Sequence, residues 1–155
     1  DSYTFSLNDK AIQPEIINGI AHIEKVSEDA KIVIELKMEP QKWYTNNRVS
    51  ENIGKTAISY GPFIYCAEGV DNGDDLHLIQ LDTKAELKFE NENDADLGNI
   101  VAIYAKGFRI KKQAGSALYS KNESIDKEEI TVRMIPYYAW ANRGENEMRV
   151  WLDRQ

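Results

Sequence analysis

The chain of 155 residues is about one domain long, and its 26 acidic and 19 basic residues give a formal net charge of −7. That balance, without a cluster of Lys and Arg, argues against nucleic-acid binding, and no apolar run approaches the roughly 20 residues of a membrane-spanning helix. The single cysteine, Cys66, excludes an internal disulfide and a metal site built from several thiolates.

Alternation of apolar and polar residues predicts strands in the first part of the chain. In "KIVIELKM" (31–38) every second residue from Ile32 to Met38 is apolar, and we expect this face to be buried. Asn18-Gly19 lies between two β-rich runs, and this dipeptide is a strong signal for a two-residue hairpin. The strands predicted here are 3–7, 11–17, 20–26 and 31–38.

The middle of the chain is predicted to hold short strands separated by turns. Gly61-Pro62 divides one apolar run, so we expect a bulge or an edge position there. The best helix candidate is a turn or two near 49–56, whereas 107–128 has the least pattern and is predicted to be a long loop. The strands predicted here are 56–60, 62–68, 76–81, 85–90 and 100–106.

The C-terminal stretch is "EITVRMIPYYAWANRGENEMRVWLD" (129–153). It contains two alternating runs, which predict strands, and an aromatic-rich connection between them. Many short strands, frequent turns and almost no helix predict an all-β fold for the whole chain, an antiparallel β-sandwich that is jelly-roll-like.

Acidic residues are frequent, and paired carboxylates can act as general acid and base. We expect solvated charges, because these carboxylates belong to hydrophilic turn segments without apolar flanks that would raise a pKa. They are Asp71, Asp74, Asp75, Glu90, Glu92, Asp94 and Asp96. The spacing Asp94-x-Asp96-x-Gly98 is superficially like a calcium loop, but the third oxygen ligand is missing where Gly98 stands. No EF-hand is therefore predicted.

The two histidines and the single cysteine are poor candidates for metal ligands or a nucleophile. His22 and His77 lie in alternating runs without further His or Cys at ligand spacing, so we interpret them as ordinary strand histidines. Cys66 is flanked by apolar residues, whereas a reactive thiolate needs an electropositive and partly open setting. We expect a buried, unreactive thiol and no cofactor in this chain.

The connection between the last two strands holds the best candidate binding residues, which are Tyr137, Tyr138, Trp140, Asn142 and Arg143. Tyr and Trp rings with a polar rim could stack on a sugar. The same side chains also fill protein interfaces, where the ring is buried and the polar tip is hydrogen-bonded. Both interpretations stay open at this point, and packing or an interface is favoured over a ligand.

Three stretches resemble segments of glycoside hydrolase family 127, the β-L-arabinofuranosidase-like family. They are "INGIAHIEKVSEDAKIVIELKMEPQKW" (17–43), "GKTAISYGPFIYCAEGVDN" (54–72) and "IPYYAWANRGENEMRVWL" (135–152). They occur in the family's order and together cover about the whole chain. The chain departs from the family at Ile20, where an aromatic residue is usual, and near Val26 and Glu28-Asp29. These departures affect packing and turns rather than chemistry.

The resemblance implies that the chemistry lies outside this chain. Family members are several times longer, and their active site lies in an upstream (α/α)6 barrel, where a cysteine nucleophile stands beside a zinc held by further cysteines and a glutamate. One cysteine cannot build that site, so no catalytic or metal residue is carried over. Residues 1–48 would be the tail of a middle β-sandwich and 49–155 the C-terminal β-sandwich domain. Since the chain begins with Asp1 rather than Met, we expect a fragment or a processed product.

The expected role is a non-catalytic accessory domain that supports the catalytic barrel, with dimerisation implied for some members. The expected partners are the upstream barrel of the parent chain, a homodimer partner and, through the parent enzyme, plant-type glycans. One alternative is a stand-alone carbohydrate-binding module that uses exposed Trp and Tyr. The other is a complete small hydrolase, which would need two facing carboxylates about 5–9.5 Å apart in a cleft.

Overall fold

The computed structural model describes residues 3–24, 26–112, 118–119, 121 and 125–155. The chain divides into two compact units, Asp1–Glu39 and Pro40–Gln155. The division falls before the strand Pro40–Tyr44 because this strand pairs with Lys55–Tyr60 of the second unit. A boundary at 48/49, as expected from the sequence, would separate these two paired strands.

The first unit contains two small antiparallel sheets. Its strands are β1 (Tyr3–Leu7), β2 (Lys10–Ile12), β3 (Glu15–Ile17), β4 (Ile20–His22) and β5 (Ile32–Leu36). β1 pairs with β2 and β5, and β3 pairs with β4. The β3–β4 turn has φ of 51° at Asn18 and 80° at Gly19, so the predicted hairpin is confirmed. The strand predicted at 11–17 is divided near Pro14, which has no N–H to donate to a ladder.

The three-stranded sheet of the first unit has one apolar face. Phe5 is opposite Ile34, and Leu7 is opposite Ile32, so their side chains project from the same side. Ile34 is 54% exposed and Leu36 is 66% exposed. The predicted burial of this face is wrong for the chain as described, since no described residue between 3 and 39 is buried.

The second unit is built almost wholly of strands. They are β6 (Pro40–Tyr44), β7 (Lys55–Tyr60), β8 (Phe63–Glu68), β9 (Ile79–Leu81), β10 (Lys88–Asp94), β11 (Gly98–Ile110), β12 (Lys127–Pro136), β13 (Met148–Arg149) and β14 (Leu152–Arg154). The short helical segments are α1 (Gly69–Asn72) and the 3-10 turns Ser50–Asn52, Leu76–Leu78 and Tyr137–Ala139. The first of these 3-10 turns confirms the helical turn predicted near 49–56.

The long loop predicted at 107–128 is shorter than expected. β11 continues to Ile110, where it still pairs with Lys127 of β12. The sequence hides this continuation because the alternation changes phase at Gly107. The apolar positions are odd-numbered before it (Ile103, Ala105) and even-numbered after it (Phe108, Ile110). Of the rest of that stretch, 113–117, 120 and 122–124 lie outside the described residues.

The strands of the second unit close into a ring. β7 pairs with β8, β8 with β12, β12 with β11, β11 with β9, β9 with β14, and β14 with β7. β6, β10 and β13 add to this ring at β7, β11 and β8. All of these pairings are antiparallel except that of β9 with β14. The predicted all-β, sandwich-like antiparallel fold is therefore confirmed.

Two apolar clusters use opposite faces of the same strands. The main core includes Tyr65 of β8 and Met134 of β12, both buried, and it takes residues from every strand of the ring. A smaller cluster comprises Cys66, Ile100, Ile135 and Ala139. It occupies the other face of β8 and β12, since successive strand residues point to opposite sides. This second cluster lies where the chain leaves β12, and it anchors the start of the connection that follows.

Candidate functional site

The predicted binding residues lie in the connection after β12, which we name the aromatic loop (residues 137–143). Pro136, the last residue of β12, is still paired with Tyr65 of β8. The chain then makes the 3-10 turn Tyr137–Ala139, whose end is marked by the bond from Trp140 N to Tyr137 O at 3.3 Å. Ala141 follows in the left-handed conformation, with φ of 64°. The loop therefore reverses direction within a few residues of the sheet.

The rings of the loop face solvent. Tyr137 is 44% exposed, Tyr138 60% and Trp140 39%. Tyr137 and Trp140 stack with centroids 6.2 Å apart at 30°, and Tyr138 meets Phe63 of β8 edge-on with centroids 5.3 Å apart at 68°. We name these two exposed ring pairs, which adjoin along the chain at Tyr137 and Tyr138, the aromatic patch (Phe63, Tyr137, Tyr138, Trp140). Exposed apolar clusters of this kind mark interaction sites more often than isolated exposed rings do.

The two polar candidates of the loop face elsewhere. Asn142 Nδ2 donates to the carbonyl of Ala139 at 3.0 Å, so this amide closes the loop on itself. Arg143 turns inward, and its side chain is only 8% exposed. The structure therefore brings the rings together at the surface and places Arg143 beneath them, where it is no rim group for a ligand.

Arg143 belongs to a buried ion-pair network (Glu68, Asp71, Glu92, Asp94, Arg133, Arg143). Its Nη1 and Nη2 donate to the two oxygens of Asp71 at 2.8 and 2.5 Å, which is a bidentate pair. Nη2 also donates to Glu68 Oε2 at 2.5 Å. Glu68, at the end of β8, is fully buried. Hydrogen bonding to Asp71 raises the pKa of Arg143, so the guanidinium is charged at any working pH.

Arg133 of β12 extends the network to β10. Its Nη1 lies 2.8 Å from Asp71 Oδ2, and its Nη2 lies 2.6 Å from Glu92 Oε2 and 3.4 Å from Asp94 Oδ2. Tyr104 of β11 donates its hydroxyl to the other oxygen of Glu92. Arg133 of β12 and Arg143 of the connection that follows β12 thus share Asp71. The network joins β8, α1, β10 and β12.

The prediction that Asp71, Glu92 and Asp94 are solvated charges is wrong. Their side chains are between 13% and 22% exposed and all three pair with arginine. Backbone N–H groups of Asp96 and Leu97 lower the pKa of Asp94. Burial alone would raise the pKa of Glu92, but bonds from Arg133 and Tyr104 outweigh it and lower the value. With lowered pKa values, Glu92 and Asp94 are poor proton acceptors at neutral pH.

Cys66 is buried in the smaller apolar cluster, which confirms the predicted buried thiol. Burial, with a further contribution from Glu68, raises its pKa to about 12, so the thiol stays protonated at neutral pH. His22 lies in β4 as expected, whereas His77 lies in the 3-10 turn Leu76–Leu78 rather than in a strand.

Among the described residues, no group of three or more His, Cys, Asp or Glu side chains is arranged to hold a metal ion. No described helix has the length and apolar character to cross a membrane.

An open groove of about 620 Å³ lies along β10, β11 and β12. Its lining consists of Ala85, Glu86, Lys88, Glu90, Tyr104, Lys106 and Thr131. Charges of both signs alternate along it, and it includes no residue of the aromatic loop. The aromatic patch is thus an open surface of the second unit, distinct from this groove.

Known proteins match this chain over nearly all of its length. The profile of the glycoside hydrolase family 127 C-terminal domain matches residues 40–153. A non-reducing end β-L-arabinofuranosidase of Bifidobacterium longum subsp. longum is 33% identical over 159 residues, which cover 99% of this chain and 24% of that protein.

Solved structures agree with that match. A GH127 β-L-arabinofuranosidase from Geobacillus stearothermophilus T6 is similar with a TM-score of 0.89 and 31% identity, over 100% of this chain and 25% of that one. A second GH127 β-arabinofuranosidase has a TM-score of 0.82 and 28% identity, over 99% of this chain and 23% of that one. The chain spans about a quarter of the length of the relatives it matches.

The matched profile begins at residue 40, which is where the second unit begins. It ends two residues before the C-terminus and so covers most of the chain. The chain belongs to the family described as the glycoside hydrolase family 127 C-terminal domain.

Proposed function

We propose that this chain is the non-catalytic C-terminal β-sandwich region of a β-L-arabinofuranosidase-like glycoside hydrolase, in which it supports an upstream catalytic (α/α)6 barrel. The observation that carries the proposal is the match of residues 40–153 to the C-terminal domain of that family. Two relatives are named β-L-arabinofuranosidases, and this chain covers about a quarter of each. Most of each relative therefore lies outside the part that this chain matches.

The side-chain chemistry of the second unit favours the proposed non-catalytic role. The Cys66 thiol is protonated at neutral pH, and Glu92 and Asp94 are held ionised by their partners. Hydrolysis by two carboxylates needs one that carries a proton and one that does not, both open to a cleft. These carboxylates are largely buried against Arg133 instead.

The first unit supports the same proposal. Its three-stranded sheet exposes an apolar face that includes Ile32, Ile34 and Leu36. Covering such a face contributes roughly 25 cal/mol for each Å² of apolar surface removed from water, so an uncovered face is unfavourable. We propose that these strands are the end of a preceding β-sandwich, and that its other sheet covers this face in the parent protein.

The aromatic patch is the proposed contact with the upstream barrel. Its rings present apolar faces with polar tips, the combination that is enriched at the centre of protein interfaces. A row of sugars would favour rings that lie side by side in one plane, whereas Tyr138 and Phe63 meet at 68°. Docking to the barrel is therefore favoured over a carbohydrate-binding module. This alternative and a homodimer are both outcomes of the test.

The test compares the complete parent protein with its Tyr138→Ser and Trp140→Ser variants. Each ring is expected to contribute about 1–3 kcal/mol to docking, so the variants should unfold at lower temperature and be cleaved faster by protease between barrel and sandwich. In the 155-residue chain alone the same substitutions should change stability by less than about 1 kcal/mol, because the rings are already half exposed.

Tyr119→Ser is the matched control, since Tyr119 is 93% exposed and lies outside the patch. Patch variants that behave like this control would rule out docking through the patch. Loss of a dimer in sedimentation, with the barrel contact unchanged, would instead assign the patch to a homodimer. Protection of the rings by an added glycan would assign it to carbohydrate binding.

A further inference from the structure

We infer that Glu68 is a positioning residue for the aromatic patch, because its buried carboxylate fixes the backbone of the aromatic loop and so sets the direction in which the rings face a partner. The inference deepens the proposed function, and it rests on that proposal only in taking the patch to be an interface. What Glu68 does to the loop can be measured without any partner.

The two oxygens of Glu68 bind three groups that follow the rings in the chain. Oε1 accepts the backbone N–H of Ala141 at 2.9 Å, and it also lies 3.5 Å from Nδ2 of Asn146. Oε2 accepts the bond from Arg143 Nη2 at 2.5 Å. One side chain from β8 therefore holds three separate points between residues 141 and 146. Because it is fully buried, water does not compete for these bonds.

The bond to Ala141 falls on the point of backbone strain. Ala141 has φ of 64°, a conformation that residues with a Cβ adopt rarely and keep only where their surroundings impose it. Its N–H points at Glu68 in this conformation. The charged acceptor and the left-handed residue therefore depend on each other, and Trp140 is the residue immediately before them.

β8, the strand that carries Glu68, pairs with the chain both before and after the aromatic loop. Cys66 of β8 pairs with Ile135 before the loop, and Glu68 pairs with Met148 after it. Gly69 N donates to the carbonyl of Glu147 at 2.8 Å, which adds a further link on the same side. Glu68 thus lies on a rigid support whose position does not depend on the rings.

The ring contacts alone do not fix the loop. Tyr137 and Trp140 touch each other with centroids 6.2 Å apart, yet both are widely exposed. Contacts between half-exposed rings leave room for rotamer changes, whereas a buried charged hydrogen bond does not. A surface that is held in its bound shape beforehand loses less freedom on binding, so Glu68 prepares the patch for its partner.

The first measurement uses the unaltered chain. Amide hydrogen exchange should show Ala141 protected about as well as Val132 in the core, although the loop lies at the surface. Exchange of Ala141 as fast as that of Glu145, an exposed residue of the same connection, would overturn the inference. No substitution is needed for this measurement, so a variant that fails to fold cannot obscure it.

The second measurement compares Glu68→Gln with Glu145→Gln. The first change removes the buried charge and leaves one of the donors facing an amide N–H, while Asp71 still binds Arg143. Exchange at Ala141 should become roughly tenfold faster or more, with Val132 unchanged. Glu145→Gln, the same chemical change at an exposed site, should leave both amides as they are.

A third reading comes from fluorine NMR of chain labelled with 5-fluorotryptophan. In Glu68→Gln the Trp140 resonance should shift or broaden, while those of Trp43 and Trp151 stay in place. An unchanged Trp140 signal, or equal acceleration of exchange at Ala141 and Val132, would show that Glu68 only stabilises the fold and would overturn the inference. The loop could respond as expected while the ring substitutions leave the unfolding temperature and protease sensitivity of the parent protein unchanged. In that case the docking proposal fails and the positioning role stands.

Discussion

At the scale of residues, the ion-pair network links parts of the second unit that are remote in sequence. Asp94 and Arg133 are 39 positions apart, and Glu68 and Arg143 are 75 apart. Taking such charges out of water costs about as much as their pairing returns, so the network adds little stability compared with packed apolar side chains of the same size. The network instead fixes one arrangement of the strands, because each arginine fits only where its carboxylates converge.

The network should make the stability of the chain depend on pH in the acid range. In the folded chain the pKa values of Glu92 and Asp94 lie below their ordinary values of 4.5 and 3.8. The unfolded chain therefore binds more protons at these positions as the pH falls. Their stabilising contribution is complete above about pH 5 and is lost as the pH drops through 4.5 and below.

Urea unfolding of the chain between pH 7 and pH 3 measures this dependence. The double variant Glu92→Gln/Asp94→Asn should lose stability less steeply below pH 4.5 than the unaltered chain does. Glu90→Gln, on the same strand but exposed, should leave the slope unchanged. Identical slopes for the double variant and the unaltered chain would contradict the assignment.

At the scale of elements, β11 spans 13 residues and pairs with β9, β10 and β12. Gly107 of β11 lies opposite Leu81 of β9. A Cβ at this glycine would lie 2.6 Å from the carbonyl oxygen of Gln80, which is backbone and cannot move aside easily. The absence of a side chain here is therefore a condition for the ring of strands to close.

Replacement of Gly107 by alanine should separate β9 from β11. We expect Gly107→Ala to lower the free energy of unfolding by roughly 2 kcal/mol or more, as overpacking against fixed atoms does. Lys106→Ala, at the exposed neighbouring position, should change it by less than about 0.5 kcal/mol. Urea unfolding followed by circular dichroism compares the two, and equal stability for both variants would refute the close approach.

The sequence predicts some elements well because their causes are local. Alternation over a few residues identified most strands, and Asn18-Gly19 identified its hairpin because the turn chemistry lies in the dipeptide itself. The aromatic loop was also found, since Pro136 and the rings are adjacent in sequence. What each ring contacts in the parent protein stays a prediction.

Other features could not be predicted because their causes are distant. The residues next to Asp71 and Glu92 in the sequence do not indicate that Arg133 pairs with both carboxylates. The inward turn of Arg143 has the same origin, since its partner Glu68 lies on another strand. Arg133 occupies a polar position of an alternating strand, so the sequence gives no signal that its side chain pairs with buried carboxylates.

At the scale of the whole molecule, the two units differ in completeness. The second unit encloses a core that includes Ile103 and Val132, both fully buried, whereas no described residue of the first unit is buried. A sheet with one apolar face is stable when another layer covers it. This chain also spans only about a quarter of its relatives. Both observations support the proposal that the chain is a region of a longer protein, in which the rest of the protein covers the apolar face of the first unit.

The most direct test of a non-catalytic role is hydrolysis of p-nitrophenyl β-L-arabinofuranoside by the purified 155-residue chain, measured beside the complete parent enzyme. The proposed division of labour predicts release of nitrophenol by the parent enzyme and none above the blank by the chain alone. Release by the chain alone, abolished when one carboxylate or the Cys66 thiol is replaced, would contradict it.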